Sequence, residues 1–360
     1  MGGLRLVAVL LTLSEASAAD SASLRKPVIV VADVGVDDAA ALLWAIGSPE
    51  LEVLGVASSL GCHSDARNTA ANAVRVLVAA NRSDVPVFVG SRFPLGQSAM
   101  LEVDGSRFHG PTGFGKPPTT EEEAACSAVA PTNMSAAEFI AGIVRSRPGE
   151  ITLLSFSPLT DVALALLIEP RLPFLLNSLV LMGAAVYTAG NAMPLAEANF
   201  LHDAAAAQLV VRSFTEGSRL VIAPLDVTMK EAALIKSSVV QTIRGLGHAG
   251  ALFADAYAYY SAAYCEIQQI CGASPLHDAM TVAYAVDPTM FTRTAEVLLD
   301  VIVAPGSPGH GQSFVDQRVG RGLDDPSAPK RGWRATLLLD VDGDRFVKGL
   351  VDGIAGLNSN

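Results

Sequence analysis

The sequence predicts an α/β protein, a doubly wound and mostly parallel sheet with helices on both faces. Two observations carry that expectation. Short apolar, β-branched runs alternate with Ala- and Leu-rich helical stretches along most of the 360 residues. Polar residues, carboxylates above all, gather where those runs end, at the edge where open α/β sheets hold their ligands. Composition agrees: 50% of residues are hydrophobic and 17% are charged, enough to fill a large core. The formal net charge of −11 argues against nucleic acid or an anionic membrane surface as a partner. No apolar run approaches the roughly 18 residues needed to span a bilayer, so no membrane partner is expected.

The chain opens with Arg5, the apolar run 6–13 and the small residues Ala16-Ser17-Ala18. This reads as a signal peptide over residues 1–18, which implies secretion or delivery to an endomembrane or vacuolar lumen. Asn81-Arg82-Ser83 and Asn133-Met134-Ser135 are glycosylation acceptors in polar surroundings. Four cysteines, Cys62, Cys126, Cys265 and Cys271, are too few to define a disulfide scaffold. Cys265 and Cys271 can pair if a loop separates them, and cannot if a helix does.

Residues 28–31 form an uninterrupted β-branched run, as in a strand buried on both faces. The run ends at Ala32-Asp33, breaks at Gly35, and restarts at Asp37-Asp38 as a helix pattern through Trp44. Asp33, Asp37 and Asp38 therefore crowd one strand tip. A helix N-terminus stabilises one carboxylate, and three together repel unless a cation neutralises them. A metal site is the reading of the triplet, with a helix cap as the alternative for Asp37 alone.

Residues 51–59 read as a second strand, 65–80 as a helix and 85–90 as a third strand. Residues 91–133 are irregular and include a glycine-rich stretch, 108–115, with His109, of a length that usually serves function. Glu121–Glu123 read as a solvated acidic run. Ser135 with Glu138 predicts a capping box opening a helix to 147. A strand at 151–156 leads through Ser157-Pro158-Leu159-Thr160-Asp161 into a helix at 162–168. The strand 179–183 opens into the polar stretch 190–199 and a helix from Asp203. A strand at 219–225, helices over 230–264, a helix opened by His277-Asp278, a Gly/Pro-rich loop at 304–333, a strand at 335–341 and a helix at 345–354 complete the chain. Asp340, Asp342 and Asp344 superficially suggest a calcium loop, but its twelfth position is Val351 rather than Glu, so an ordinary strand-to-helix turn is expected.

Taken in order, Asp33-Val34-Gly35-Val36-Asp37-Asp38, the His109 loop, Ser157–Asp161, Met182-Gly183, Asn191, Glu197, Asn199 and His277-Asp278 resemble the inosine–uridine-preferring nucleoside hydrolase family. The likeness runs from about residue 26 to the end and implies one nucleoside hydrolase-like catalytic domain over 26–360. It implies a calcium ion held by Asp33, Asp38, Asp278 and the Phe156 carbonyl. Asp37, Asn191, Glu197 and Asn199 match residues that grip ribose, and Met182 lines the same pocket. Asp33 is the matched general base, His277 the histidine that protonates the leaving base, and His109 a histidine near that base. A small-molecule nucleoside substrate and a homo-oligomer, dimer or tetramer, follow from the same likeness. The chemistry suits these residue types, because N-glycosidic cleavage builds positive charge on the sugar and needs an activated water and a protonated leaving group.

The match has departures. Val31 and Val34 replace an Asp and a Pro, Cys62 an Asn beside the attacking water, Ala198 an aromatic cover for the sugar, and Asp161 an Asn. Cys62 is the most serious, since a thiol replaces an orienting amide poorly. Two other readings follow: a nucleoside-binding protein without turnover, and a haloacid dehalogenase-type phosphatase. The phosphatase needs an Asp where Gly35 stands. His63, His202, His248 and His310 lack motif context and are expected at the surface or in the core.

Overall fold

The computed structural model describes residues 25–96, 105–120, 122–123, 133–317 and 333–358. The expected signal peptide and Cys126 lie outside the described residues. Eleven strands follow in chain order: β1 Lys26–Ala32, β2 Leu51–Ser58, β3 Val87–Val89, β4 Thr152–Ser155, β5 Ser178–Met182, β6 Leu220–Ala223, β7 Leu234–Lys236, β8 Ala273–Pro275, β9 Arg293–Val301, β10 Ser313–Val315 and β11 Trp333–Asp340. Nine of them form the central sheet, in the order β10-β9-β11-β6-β5-β4-β1-β2-β3. Pairing is parallel from β3 through to β11, while β9 and β10 close the far edge antiparallel. The strand order reverses at β1, which pairs β2 on one side and β4 on the other. That reversal is the topological switch point where such sheets bind ligands.

Alternation along β1 divides the core. Val28, Val30 and Ala32 face one layer, and Ile29 and Val31 the other. The first layer holds α1 Val36–Gly47 and α2 Ala66–Ala79, and the second holds α3 Ala136–Ser146, α4 Thr160–Ile168 and, after the short α5 Ala198–His202, α6 Ala204–Ser213. Three more helices, α7 His248–Gln268, α8 Ala279–Val286 and α9 Gly343–Ala355, join the first layer. Every residue of α1 is buried, as expected of a helix apolar all round. It is enclosed because α7, α8 and α9 all pack on it. The closest approach needs glycine: a Cβ on Gly353 of α9 would lie 2.0 Å from Cδ1 of Trp44.

The capping box at Ser135 and Glu138 is present. Asp342 caps α9 through the Arg345 N–H, giving the strand-to-helix turn expected there. Four features depart from the sequence reading. No strand was drawn over β9, and β10 falls inside the stretch read as a loop. The helical stretch 230–264 contains β7, which pairs antiparallel with β8. The helix α7 also runs past 264 to Gln268, where Gln269 takes a left-handed φ of 59°. The chain folds back there, so Cys265 at the helix end and Cys271 beyond it form a disulfide. Three of the five intervening residues are helical and two are not, so the left-handed turn at Gln269, rather than a loop throughout, lets the two cysteines meet.

Candidate active site

At the carboxyl end of β1, the backbone leaves the sheet at Asp33 and enters α1 after Gly35. Asp33, Asp37 and Asp38 are all buried, and Asp278, at the start of α8, is buried with them. Two overlapping groups result, Asp33 with Asp38 and Cys62, and Asp37 with Asp38 and Asp278. Within each, one ligand atom per residue lies within 4.8 Å of the others. Asp38 does part of the work of a cap, since its Oδ2 accepts the Gly35 N–H at 2.9 Å. Its Oδ1 has no hydrogen-bond partner among the described residues. Asp33 accepts the Cys62 backbone N–H. Burial, and then mutual repulsion, raises all four carboxyl groups above their ordinary range. Among the described residues, no Lys or Arg lines the cavity to compensate. Hard oxygen donors, buried together with one oxygen unpartnered, fit a hard divalent cation.

Gly35 is required here by space. A Cβ would lie 2.4 Å from Nδ1 of His109 and 2.5 Å from Sγ of Cys62. His109 ends the one-turn helix Ser106–His109, and its Nδ1 accepts the Val36 N–H at 3.1 Å. Asn72 on α2 fastens this turn to the glycine loop by donating to the carbonyls of Val34 and Thr112, both at 3.0 Å. The Cys62 thiol sits 3.7 Å from Oδ2 of Asp38, and burial with the neighbouring carboxylates pushes it well up.

The opposite wall comes from β4, β5 and α5. Phe156 follows β4 and Met182 ends β5, and Nδ2 of Asn199 donates to the carbonyls of both at 3.3 Å. Glu197 caps α5, accepting N–H groups from Asn199 and Phe200 at 2.9 and 3.1 Å. It also accepts the Ala184 N–H at 3.2 Å, from a residue held at a left-handed φ of 74°. Burial nonetheless raises Glu197 to about 7. Asn191 fixes the start of α5 by accepting the Ala198 N–H at 3.0 Å.

The third wall is built from His277 and from Tyr260 and Tyr264 of α7. His277 is buried between Thr228 Oγ1, 2.7 Å from its Nδ1, and the Tyr264 hydroxyl, 2.8 Å from its Nε2. Tyr260 donates to the Tyr264 hydroxyl at 3.5 Å. Burial lowers His277 to about 3, so the ring is neutral at physiological pH. The sequence clusters Tyr257, Tyr259, Tyr260 and Tyr264 within eight residues, but only the meeting of α7 with the β8 return brings one of them onto His277. His202, expected to be unremarkable, lines the cavity as well, and burial lowers it to about 4. His63 instead binds the Asp65 N–H and the Asn68 amide near the start of α2.

These walls enclose a cavity of about 410 Å³, within the range of small-molecule sites. Asp33, Asp37, Asp38, His109, Phe156, Met182, Asn191, Glu197, Asn199, His277 and Asp278 all line it. Of the departures, Cys62 and Ala198 line it too. Asp161 lies outside the lining, buried and accepting the Ser91 N–H at 2.8 Å.

Residues 28–348 match the family model described as inosine-uridine preferring nucleoside hydrolase. A pyrimidine-specific ribonucleoside hydrolase RihA of Klebsiella pneumoniae is 33% identical over 330 residues, covering 91% of this chain and 98% of the relative. A solved purine-preferring ribonucleoside hydrolase from Gardnerella vaginalis superposes with a TM-score of 0.79 at 29% identity, covering 92% of this chain and 99% of the other. The fold alone is shared with a plant nucleoside hydrolase at 24% identity and a TM-score of 0.77. The chain belongs to the inosine-uridine preferring nucleoside hydrolase family, and it is a hydrolase of the N-glycosidic bond of ribonucleosides.

Proposed function

We propose that this enzyme cleaves ribonucleosides to ribose and free base with a calcium ion held by Asp33, Asp38, Asp278 and the Phe156 carbonyl. The observation that carries the reading is the buried carboxylate cluster, which among the described residues has no Lys or Arg along the cavity and an unpartnered oxygen on Asp38. When bound, calcium supplies a many-coordinate centre for carboxylates, ribose hydroxyls and a water whose pKa it lowers. Asp33 accepts the proton of the attacking water. Asp37, Asn191, Glu197 and Asn199 hold the ribose hydroxyls, with Met182 against the sugar. The acidic wall stabilises positive charge developing on the ribose. At the far wall, Tyr264 gives its hydroxyl proton to the departing base and regains one from solvent once the base has left, while the neutral His277, 2.8 Å away, holds that hydroxyl in place. His109 packs beside the base.

Ribose release from inosine, uridine and their 5′-monophosphates tests this. Nucleosides are expected to react far faster, because the described lining has no Lys or Arg to receive a phosphate. Equal specificity constants for a nucleoside and its monophosphate overturn the substrate assignment. Binding without ribose release favours the non-catalytic reading.

The proposal extends to a single catalytic domain over 26–360, a dimer or tetramer, and export by the signal peptide 1–18 to the cell exterior or an endomembrane lumen. Exposed Asn81 and Asn133 and the Cys265–Cys271 disulfide support an oxidising, glycosylating route. Determining the mature N-terminus and the mass lost on deglycosylation tests export, and sedimentation tests assembly.

A further inference from the structure

We infer that Cys62 makes this centre a second kind of metal site, one that takes a thiophilic divalent cation, zinc or cadmium, through the Cys62 sulfur together with Asp33 and Asp38. The inference rests on the calcium reading of the same cavity, and its test separates the two.

Cys62, Asp33 and Asp38 each bring a ligand atom within 4.8 Å of the other two, near enough for the side chains to converge on one cation. The thiol is fixed. Its own backbone N–H is bonded to Asp33, and Sγ lies 3.7 Å from Oδ2 of Asp38. A second observation points to a bound cation: Asp38 is 1% exposed, lines the cavity, and has an Oδ1 without a hydrogen-bond partner among the described residues. Sulfur is a poor donor for a hard ion and a strong one for zinc or cadmium. Zinc is satisfied by three protein ligands and one water, so the three residues suffice. Binding breaks the Cys62 S–H bond, releases that proton to solvent and forms a sulfur–metal bond. Asp38 also belongs to the Asp37–Asp38–Asp278 group. The soft and hard cations therefore compete for it, and a thiophilic metal displaces calcium and stops turnover.

The test uses metal-free protein carrying Cys126→Ser, so that Cys62 is the reduced thiol and Cys265–Cys271 stay paired. Cadmium is titrated alone, and the ultraviolet cadmium–thiolate charge-transfer band is followed. One equivalent is expected to develop the band, and excess calcium to erase it. Cys62→Ser is expected to abolish the band and weaken cadmium binding by more than about tenfold, the lower bound for losing even an outer-shell partner. Cys62→Asn serves as a second variant, with thermal unfolding to verify its fold. An unchanged band in either folded variant, or no band in the parent, overturns the proposal. A band that calcium does not erase overturns the shared site. If calcium-dependent ribose release persists while the band is missing, this inference fails and the calcium reading stands. If the band appears in protein that never needs calcium, the failure is the reverse.

Discussion

Tyr264 shows what a single side chain does in this cavity. A base departs badly as an anion, and a positioned acid contributes typically about 10²–10⁴ in rate. His277 is neutral because burial lowers it to about 3, so its value lies in the 2.8 Å contact to Tyr264. Tyr264→Phe and His277→Gln are therefore expected to lower kcat on inosine and uridine by about 10²–10³. Both should nearly spare a riboside whose leaving group needs no proton. An equal loss on both substrate types would place these residues on the sugar instead. The carboxylates were legible because three of them stand within six residues at the tip of a predicted strand. Tyr264 was not, since among four clustered tyrosines only the tertiary return of β8 distinguishes the one that meets the histidine.

Among the elements, α1 bears the most constraint, since its first turn carries Asp37 and Asp38 while its far end packs under α9. Trp44 lies against Gly349 and Gly353, and burial leaves the ring 1% exposed. Gly353→Ala forces overpacking there and is expected to cost about 1–3 kcal/mol, read by denaturant unfolding. An unchanged midpoint would show that the two helices separate freely. This element was readable from its apolar run and leading acids. The antiparallel edge was not. Arg293–Val301 buries Val297, Leu299 and Val301 in alternation, a pattern present in the sequence. Glu296 and Asp300 on its other face, the latter paired with Arg212, diluted it below the apolar runs of the parallel strands. The stretch around β10 reads as loop because Gly and Pro dominate its flanks.

For the whole molecule, the buried titratable groups give stability a pH dependence with opposing parts. His277 binds its proton at about 3 when folded and near its ordinary value of 6.5 when unfolded. The unfolded state therefore binds more protons between those values, so the His277 contribution is complete above 6.5 and is lost as pH falls toward 3. The raised carboxyl groups of the metal-free protein work in the opposite direction, losing stability as pH rises. Comparing wild type with His277→Gln in the same calcium-loaded buffers isolates the histidine. The stability difference should shift in favour of the variant from about pH 7 to about pH 5, by at most ~1.4 kcal/mol per unit. A pH-independent difference would contradict neutral burial.

The most direct measurement of the central claim follows one sample through metal removal and return, recording ribose release and thermal unfolding together. Exhaustive chelation is expected to abolish ribose release and lower the melting temperature, and calcium to restore both. At a hundredfold excess over its Kd the restored stability should be about 2.7 kcal/mol. Asp33→Ala should remain inactive when calcium is returned, having lost a ligand and the base together. Full ribose release from metal-free protein, or an unaffected rate in Asp33→Ala, would contradict the account.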